Sequence, residues 1–594
     1  MPPRLKPLFT GNRSLTGLLL AGVLLVAAGP LVFDTYLLNI LIKAFFFAMV
    51  AVTVDVLWGY TGYLTFGQSA FFGMGAYAAG LVFTHQGFST ATVLAGLTLA
   101  IVVPAAFALF VGWLSFYRGA SPFFATVISL VVPIVASQLL LSGGQWTGSS
   151  SGLTGYPTFE WSLEAWYWVA GTALLAIGVL AWLLVNSDAG RVLASIRDNE
   201  SRCAYLGISV SKVKIIALVA ASTVAGMAGF GYASFSGAVA PELSGFVLGT
   251  ELIIWVALGG RGTLWGPLIG AILINVATAY LSSSMPFVWQ LVLGSAFVLV
   301  IVLLPAGLVP MLLAPLGLES AGRNAPRLVG RETRPLDSGA QLEPALVMQD
   351  VAKNYGSLKV LQGINLQASA GELVGLIGPN GAGKTTLMRC MSDGQERSAG
   401  VVRLCGNDIG LKPPEACVRY GLGRKFQNAN IFESLTVAEC LRMATTATHR
   451  PSLLRRADTL VLPAYALEVA HTTGLDRKLG VEAKDLSHGE QQALELAMVL
   501  ALEPRIVLLD EPTAGLTKTE RTQIGQVLSA LARKHKLCCL LVEHDLDFVE
   551  EVATRIVVLH QGAIVMEGSF DEVVSSQLVR SIYAGAPGHG GGAA

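Results

Sequence analysis

The sequence predicts a polytopic α-helical membrane domain, of about ten transmembrane helices, followed by an α/β domain built on a phosphate-binding loop. Three observations predict it. Residues before about 315 are apolar with rare charges, whereas those after about 345 have ordinary soluble composition. Between residues 36 and 159 the charged side chains are those of Lys43, Asp55 and Arg118. The stretch "GELVGLIGPNGAGKTTLMRCM", residues 371–391, runs an apolar strand into a glycine-rich loop and then a helix.

At 594 residues the chain is too long for one domain. Its charged fraction is 13%, against roughly 25% in soluble proteins. A formal net charge of zero gives no electrostatic argument for nucleic-acid binding. The cysteines, Cys203, Cys390, Cys405, Cys417, Cys440, Cys538 and Cys539, are odd in number and lack metal-ligand spacing. They read as reduced thiols, not a disulfide framework. Cys538 and Cys539 fall in "LCCLLVEHD", a buried strand by pattern.

A bilayer core takes about 20 apolar residues per helix. Runs of that kind cover residues 15–33, 36–58, 68–84, 92–116, 122–141, 166–184, 214–239, 246–260, 264–281 and 288–312, the run 246–260 being short enough for a half-helix. The basic start "MPPRLKPLFTGNR" favours a cytoplasmic N-terminus, and no small-residue cleavage site marks a signal peptide. That count puts Arg118, the charged block 187–212 and Arg261 on the cytoplasmic side, where basic residues concentrate. Gly262, Gly266 and Gly270 recur four apart, as do Ser69/Gly73 and Ala76/Gly80. Small residues so spaced let helices pack closely in lipid, which explains them without a substrate role. "AFFGMGAYAAG" and "VAGMAGFGYAS" echo each other, a hint of duplicated halves. The expected domains are therefore 1–315 in the membrane, a linker over 316–345, a nucleotide-binding domain over 346–580 and a flexible tail over 581–594.

In the soluble half, residues 378–385 read Gly-Pro-Asn-Gly-Ala-Gly-Lys-Thr. Glycines let backbone N–H groups wrap a phosphate, and the following helix N-terminus adds a favourable dipole. Lys384 can reach the outer phosphates and Thr385 can bind Mg²⁺. "RIVLLDEP" ends a buried strand on Asp510 and Glu511. Asp510 suits a Mg²⁺ shell, and Glu511 can polarise an attacking water. "LSHGEQQALELA", residues 486–497, presents Ser487 and Gly489 at a helix start, where phosphate binds well. An ordinary capping box between Ser487 and Glu490 explains the same residues. Gln427 and His544 are individually weak signals, a surface Gln and a structural His being common.

Taken together these pieces resemble, in the right order over residues 346–580, the ATP-binding subunit of an ABC transporter. The resemblance implies that Tyr355 stacks on adenine, and that residues 378–386, including Gly378, Asn380, Gly381, Gly383, Lys384, Thr385 and Thr386, form the Walker A loop. It makes Gln427 the Q-loop residue that senses Mg²⁺, residues 486–491 the signature motif, Asp510 and Glu511 the Walker B pair, and His544 the switch histidine. Thr385, Gln427 and Asp510 are then the Mg²⁺ set. The chain departs from the pattern at His488, Glu490 and Thr517 of the D-loop "AGLT". Most of residues 30–315 are similar to permeases of the branched-chain (hydrophobic) amino acid and amide uptake family. The carrying stretches are "GYTGYLTFGQSAFFGMGAYAAG", "GRVLASIRDNESRCAYLGISVSKVK" and "ELIIWVALGGRGTLWGPLIGA".

The charged block can now be read. Ser187 or Asp188 can cap a short helix with an apolar stripe of Val192, Leu193 and Ile196, and Gly207 can end the next turn. The resemblance makes this a coupling loop, with Arg191, Ile196, Arg197, Glu200 and Gly207 as its residues. It also implies ATP sandwiched between two nucleotide-binding domains, so that a twin, or a second permease and a second ATPase subunit, completes the site. The resemblance further implies a periplasmic or surface-bound solute-binding protein that delivers substrate, and a multi-pass protein of the bacterial inner membrane whose ATPase faces the cytoplasm. A hydrophobic amino acid is the expected substrate. "VALGGRGTLWG", "LSHGE" and "VLHQG" lean toward the urea and short-amide branch. Asp55 and Glu251, ionisable residues within apolar runs, are candidates for the substrate path, a helix end in water being the alternative for either. An exporter half is disfavoured by about ten short spans in place of six long helices, and a non-pumping gated channel by Glu511 and His544.

Overall fold

The computed structural model describes residues 12–117, 122–303, 307–313, 326–332, 344–446, 452–453, 458–513 and 516–584. The expected cytoplasmic Arg118, most of the linker and the tail from 585 lie outside them. Two compact units form. One comprises Met1–Arg197, Val210–Arg323 and Ser452–Arg456; the other comprises Asp198–Ser209, Asn324–Pro451 and Ala457–Ala594.

The first unit is helical, as apolar runs in lipid must be, because a helix satisfies its own backbone. Its elements are α1 (Asn12–Val32), α2 (Thr35–Asp55), α3 (Gln68–Gln86), α4 (Thr90–Phe116), α5 (Pro122–Ser142), α6 (Leu163–Asn186) and α7 (Asp188–Asp198). After α8 (Glu200–Tyr205), which belongs to the other unit, come α9 (Val210–Ser236), α10 (Phe246–Gly259), α11 (Trp265–Ser284), α12 (Trp289–Leu303) and α13 (Leu308–Leu313). Against the ten spans expected, six helices among the described residues are long and apolar enough to cross a membrane: α2 with its following turn, α4, α5, α6, α9 and α11. Leu19–Val32 and Phe246–Gly259 are shorter apolar helices. Strands β1 (Leu153–Thr154) and β2 (Ala238–Val239) form a small antiparallel pair.

The small residues explain how these helices approach. A Cβ on Gly75 of α3 meets the carbonyl oxygen of Gly226 on α9 at 2.0 Å, and one on Gly229 of α9 meets that of Phe72 at 2.0 Å. The two segments that echo each other in sequence thus pack backbone to backbone. Gly266 and Gly270 do the same for α11, where a Cβ falls 2.4 Å from the carbonyls of Gly259 and Trp255 on α10.

The charged block folds as its pattern indicates. Ser187 Oγ accepts from the N–H of Gly190 at 3.3 Å, and Gly207 ends the α8 turn with φ +82°. Val192, Leu193 and Ile196 are all buried.

The second unit contains β3 (Arg327–Arg331), β4 (Leu346–Tyr355), β5 (Leu358–Ala368), β6 (Leu373–Ile377), β7 (Ala399–Leu404), β8 (Asn407–Asp408), β9 (Leu422–Lys425), β10 (Thr459–Pro463), β11 (Ile506–Asp510), β12 (Cys538–Val542), β13 (Arg555–His560) and β14 (Ala563–Gly568). Its helices continue as α14 (Lys384–Ser392), α15 (Pro414–Arg419), α16 (Val437–Thr445), α17 (Ala464–Thr472), α18 (His488–Leu500), α19 (Lys518–His535), α20 (Leu546–Val552), α21 (Phe570–Ser575) and α22 (Gln577–Ala584). A six-stranded sheet runs β14-β13-β6-β12-β11-β9, parallel except for β14, and an antiparallel sheet of four runs β5-β4-β7-β8. The central strands β6, β11 and β12 are buried end to end, which is why they read as unbroken apolar runs. Cys538 and Cys539 are buried core residues of β12.

One strand departs from expectation. Residues 316–345 read as a linker, yet β3 lies inside that stretch and pairs in parallel with β10, Arg327 opposite Thr459 and Arg331 opposite Pro463. Arg331 also donates to Glu503 at 2.9 Å.

The packing predicts a graded response to added side chains. Gly75→Leu and Gly229→Leu must push α3 and α9 apart and should lower stability by about 1–3 kcal/mol or more. Gly294→Leu, with nothing within 4 Å of its Cβ, should leave the thermal melt of the detergent-solubilised protein unchanged.

Candidate functional site

The polar residues of interest gather at the C-terminal ends of neighbouring parallel strands, where open α/β sheets bind ligands. Strand β6 ends at Ile377, and the loop that follows turns directly into α14. Gly378 is required there by contact: a Cβ meets the carbonyl oxygen of Leu559 at 2.1 Å. Gly383 caps α14 with φ +103° and no side-chain cap, which leaves the first amides of the helix to the loop. Lys384 is 8% exposed and its Nζ donates to the carbonyls of Gly378 at 2.6 Å and Pro379 at 3.2 Å. Burial pushes its ammonium below the usual range, while the charges of Glu511 and Asp510 oppose that shift.

Strand β11 delivers the acids. Asp510 is 3% exposed, and burial raises its carboxyl above the ordinary value. Glu511 takes φ +45°, a conformation that a side chain other than glycine's rarely adopts, with its N–H donating to Val542 of β12 at 2.8 Å. Its carboxylate receives Gln427 Nε2 at 2.8 Å and lies 3.1 Å from His544 Nε2. Two individually weak signals, a lone Gln and a lone His, thus meet on one carboxylate. Glu543, which sequence reasoning passed over, fixes the approach by accepting from the Thr513 N–H at 3.0 Å and the Thr513 hydroxyl at 2.6 Å.

The donor chemistry fits a magnesium nucleotide. The hydroxyl of Thr385, the carboxylate of Asp510 and the amide oxygen of Gln427 are hard oxygen donors suited to Mg²⁺. Within the glycine loop Gly381 takes φ +81° and Gly383 φ +103°, left-handed conformations that favour glycine and turn backbone amides toward a bound phosphate. Asn380, Gly381 and Thr386 belong to the same loop and first helical turn.

Other expected residues stand apart. Tyr355 ends β4 at 47% exposure with Lys353 Nζ 4.7 Å from its ring centre. Among the described residues no hydrogen bond joins Tyr355, Ser487 or Gly489 to the Glu511 cluster. Ser487 caps α18 in a capping box with Glu490, and Glu490 also pairs with Lys478 at 2.5 Å. Thr517, where the family often has Asp, caps α19 in a second box with Glu520. Ala514 and Gly515 of the same motif lie outside the described residues.

The expected coupling residues divide between the units. In the first, Arg191 Nη1 donates to the carbonyls of Asn186 at 2.7 Å and Ser187 at 3.0 Å, Ile196 is fully buried, and Arg197 Nη1 donates to Gly59 at 2.9 Å. Glu200 and Gly207 fall in the second, within Asp198–Ser209. There the sequence reading did not single out Arg202 or Tyr205. Arg202 and Glu495 form a fully buried ion pair at 3.3 Å. Tyr205 packs edge-on against Phe426 with ring centres 5.0 Å apart, and Arg424 Nη1 donates to its hydroxyl at 3.2 Å. Asp198 accepts from the Ser434 N–H at 2.8 Å, and Asn199 bonds to Asn430. One signal was available: Arg202 stands before the apolar run Cys203, Ala204, Tyr205, Leu206 in an otherwise charged block.

Asp55 has a structural occupation. It accepts from the N–H groups of Gly262 at 2.6 Å and Leu264 at 3.0 Å, and so ties the end of α2 to the turn between α10 and α11. The π-helical turn Val56–Tyr60 follows it, and its loosened carbonyls at Trp58 and Gly59 accept from Arg261 at 3.1 Å and Arg197 at 2.9 Å. Glu251 lies on α10, partly exposed.

A sequence profile described as the permease component of a branched-chain amino acid transport system matches residues 36–304, and one described as ABC transporter matches 361–514. The chain is 31% identical over 251 residues to the high-affinity branched-chain amino acid transport ATP-binding protein BraF of Pseudomonas aeruginosa, which covers 41% of this chain and 98% of that protein. Similarity to the corresponding protein LivG of Escherichia coli K12 is 30% over 252 residues, 41% of this chain and 98% of LivG. The arginine transport ATP-binding protein ArgV of Corynebacterium glutamicum is 32% identical over 239 residues, 38% of this chain and 91% of its own. A solved ATP-binding cassette of an ABC transporter in its ADP conformation is 25% identical, covers 41% of this chain and all of its own, and has a TM-score of 0.36.

The Asp55 clasp predicts a stability effect separable from nucleotide binding. Asp55→Ala should cost about 1–3 kcal/mol for each amide left unpaired. Asp55→Asn, whose one carbonyl oxygen still accepts, should cost less. Both should keep wild-type ATP affinity, read by thermal melting with and without nucleotide.

Proposed function

This chain belongs to the ABC transporter family, with a branched-chain amino acid-type permease domain fused to its ATPase domain, and from that premise we propose that it imports a leucine-type hydrophobic amino acid by ATP hydrolysis. The observation that carries the reading is Glu511, held by Gln427 and His544 beside Asp510, in a chain that also carries six helices long and apolar enough to cross a membrane among its described residues. The permease profile and the names of BraF and LivG support the substrate class.

The roles follow from chemistry. Tyr355 stacks on adenine, and the amides of 378–386 take the phosphates with Lys384 directed at the outer pair. Thr385, Gln427 and Asp510 hold Mg²⁺, which when bound offsets charge developing on the phosphoryl oxygens. Glu511 polarises the attacking water, and Gln427 and His544 keep its carboxylate aimed. Ser487 and Gly489, at the start of α18, face the nucleotide bound by a second ATPase domain. That domain comes from a twin or from a separate ATPase subunit with its own permease. A solute-binding protein presents substrate outside the bacterial inner membrane, and the Asp188–Asp198 helix with the Asp198–Ser209 segment carries the ATPase movement to the membrane helices. Each step shifts the balance between two access states.

Uptake of labelled leucine and labelled urea in host cells lacking this gene, restored with wild type, Lys384→Ala or Glu511→Gln, tests the reading. Leucine uptake should return with wild type alone. Glu511→Gln should bind ATP while hydrolysing about 10²-fold more slowly. Urea uptake that follows this pattern while leucine uptake does not would move the chain to short amides, and no change in either would refute both substrates.

A further inference from the structure

The ATPase unit holds a buried polar cluster that these roles do not use. Arg202, Lys425, Gln492 and Glu495 have no exposed surface, and Arg424 is 2% exposed. One carboxylate organises them. Glu495 Oε1 accepts from Arg202 Nη1 at 3.3 Å and also from the backbone N–H of Phe426 at 3.1 Å. Lys425 Nζ lies 3.9 Å from Glu495 Oε2 and donates to Gln492, whose Nε2 donates to the carbonyl of Gln427 at 3.2 Å. Gln427 then reaches Glu511 at 2.8 Å. The backbone on both sides of the Gln427 side chain is therefore anchored by groups gathered around Glu495. Arg202 adds two further bonds, to the carbonyls of Arg424 at 3.1 Å and Glu495 at 3.3 Å.

We infer that Glu495, held by Arg202, is a positioning residue that keeps Gln427 on Glu511. The balance of charge gives the reason. A guanidinium stays protonated under all ordinary conditions, so Arg202 is a permanent counter-charge on the oxygen that also holds Phe426. Without it, Glu495 is drawn to Lys425, its remaining cation, and the Phe426 amide loses its acceptor. Tyr205 reinforces the arrangement by sharing Ser392 and Arg424 with the last turn of α14, the helix that begins at Lys384.

The inference rests on the reading of Glu511 as the water-polarising group. The test uses the whole transporter, purified from its host membrane through a tag on this chain, with hydrolysis followed against ATP concentration. Arg202→Met should lower kcat about tenfold to a hundredfold and leave KM for ATP within about twofold, because the phosphate loop is untouched. Arg202→Lys should recover most of the loss. A wild-type kcat in Arg202→Met overturns the inference, as does a joint loss of kcat and KM that Lys does not rescue. If Arg202→Met fails to accumulate, Glu495→Gln is measured in its place. Its uncharged amide no longer holds Arg202, so the oxygen that accepts from Phe426 is no longer fixed; kcat should fall with KM kept, and an unchanged kcat overturns the inference. Glu511→Gln separates the two levels. Hydrolysis lost in Glu511→Gln but intact in the Arg202 and Glu495 variants sinks the positioning role alone; hydrolysis retained in Glu511→Gln sinks the reading of the site beneath it.

Discussion

A carboxylate taken out of water must be given hydrogen-bond donors or cations, since the effective penalty is still several kcal/mol per ion. Both units of this chain are organised around that constraint. In the membrane unit Asp55, with no exposed surface, takes two backbone amides from the turn between α10 and α11. In the ATPase unit Glu495 takes Arg202, Lys425 and the amide of Phe426. Each ties together segments far apart in sequence, and neither position tolerates slack, because an unpaired charge costs more than the pair contributes.

The hydrolysis site shows the same economy of donors. Strands β9, β11 and β12 are neighbours in the sheet, and Gln427 and His544, which follow β9 and β12, converge on Glu511 at the end of β11. The positive φ of Glu511 stores local strain of the kind found where a side chain must be aimed. Two departures from the family pattern acquire a local reason. Glu490 closes the capping box with Ser487, and Thr517 caps α19 with Glu520, so both satisfy amides that a helix start leaves open.

The membrane helices rely on close backbone approach. Glycines of α3, α9 and α11 lie against carbonyls of their neighbours at distances that exclude any Cβ, which accounts for the spacing of small residues without appeal to a substrate. The segment joining permease and ATPase is likewise more than a tether, since β3 adds to β10 and Arg331 pairs with Glu503.

What could be read from sequence was what lies close together along the chain. The phosphate loop, the acids ending β11, the capping of the charged block by Ser187 and the stop at Gly207 are local patterns, set by backbone conformation over a few residues. The helical membrane half was legible for the same reason, because hydrophobic runs declare themselves. Partners remote in sequence were not legible. Arg202 and Glu495 are 293 residues apart and Asp55 and Gly262 are 207 apart, and nothing in either segment names the other. Asp55 therefore read as a substrate-path candidate and residues 316–345 as a linker, because the amides that occupy the one and the strand that pairs with the other arrive only when the chain folds. Burial decides which charges need partners, and burial is a property of the packed molecule.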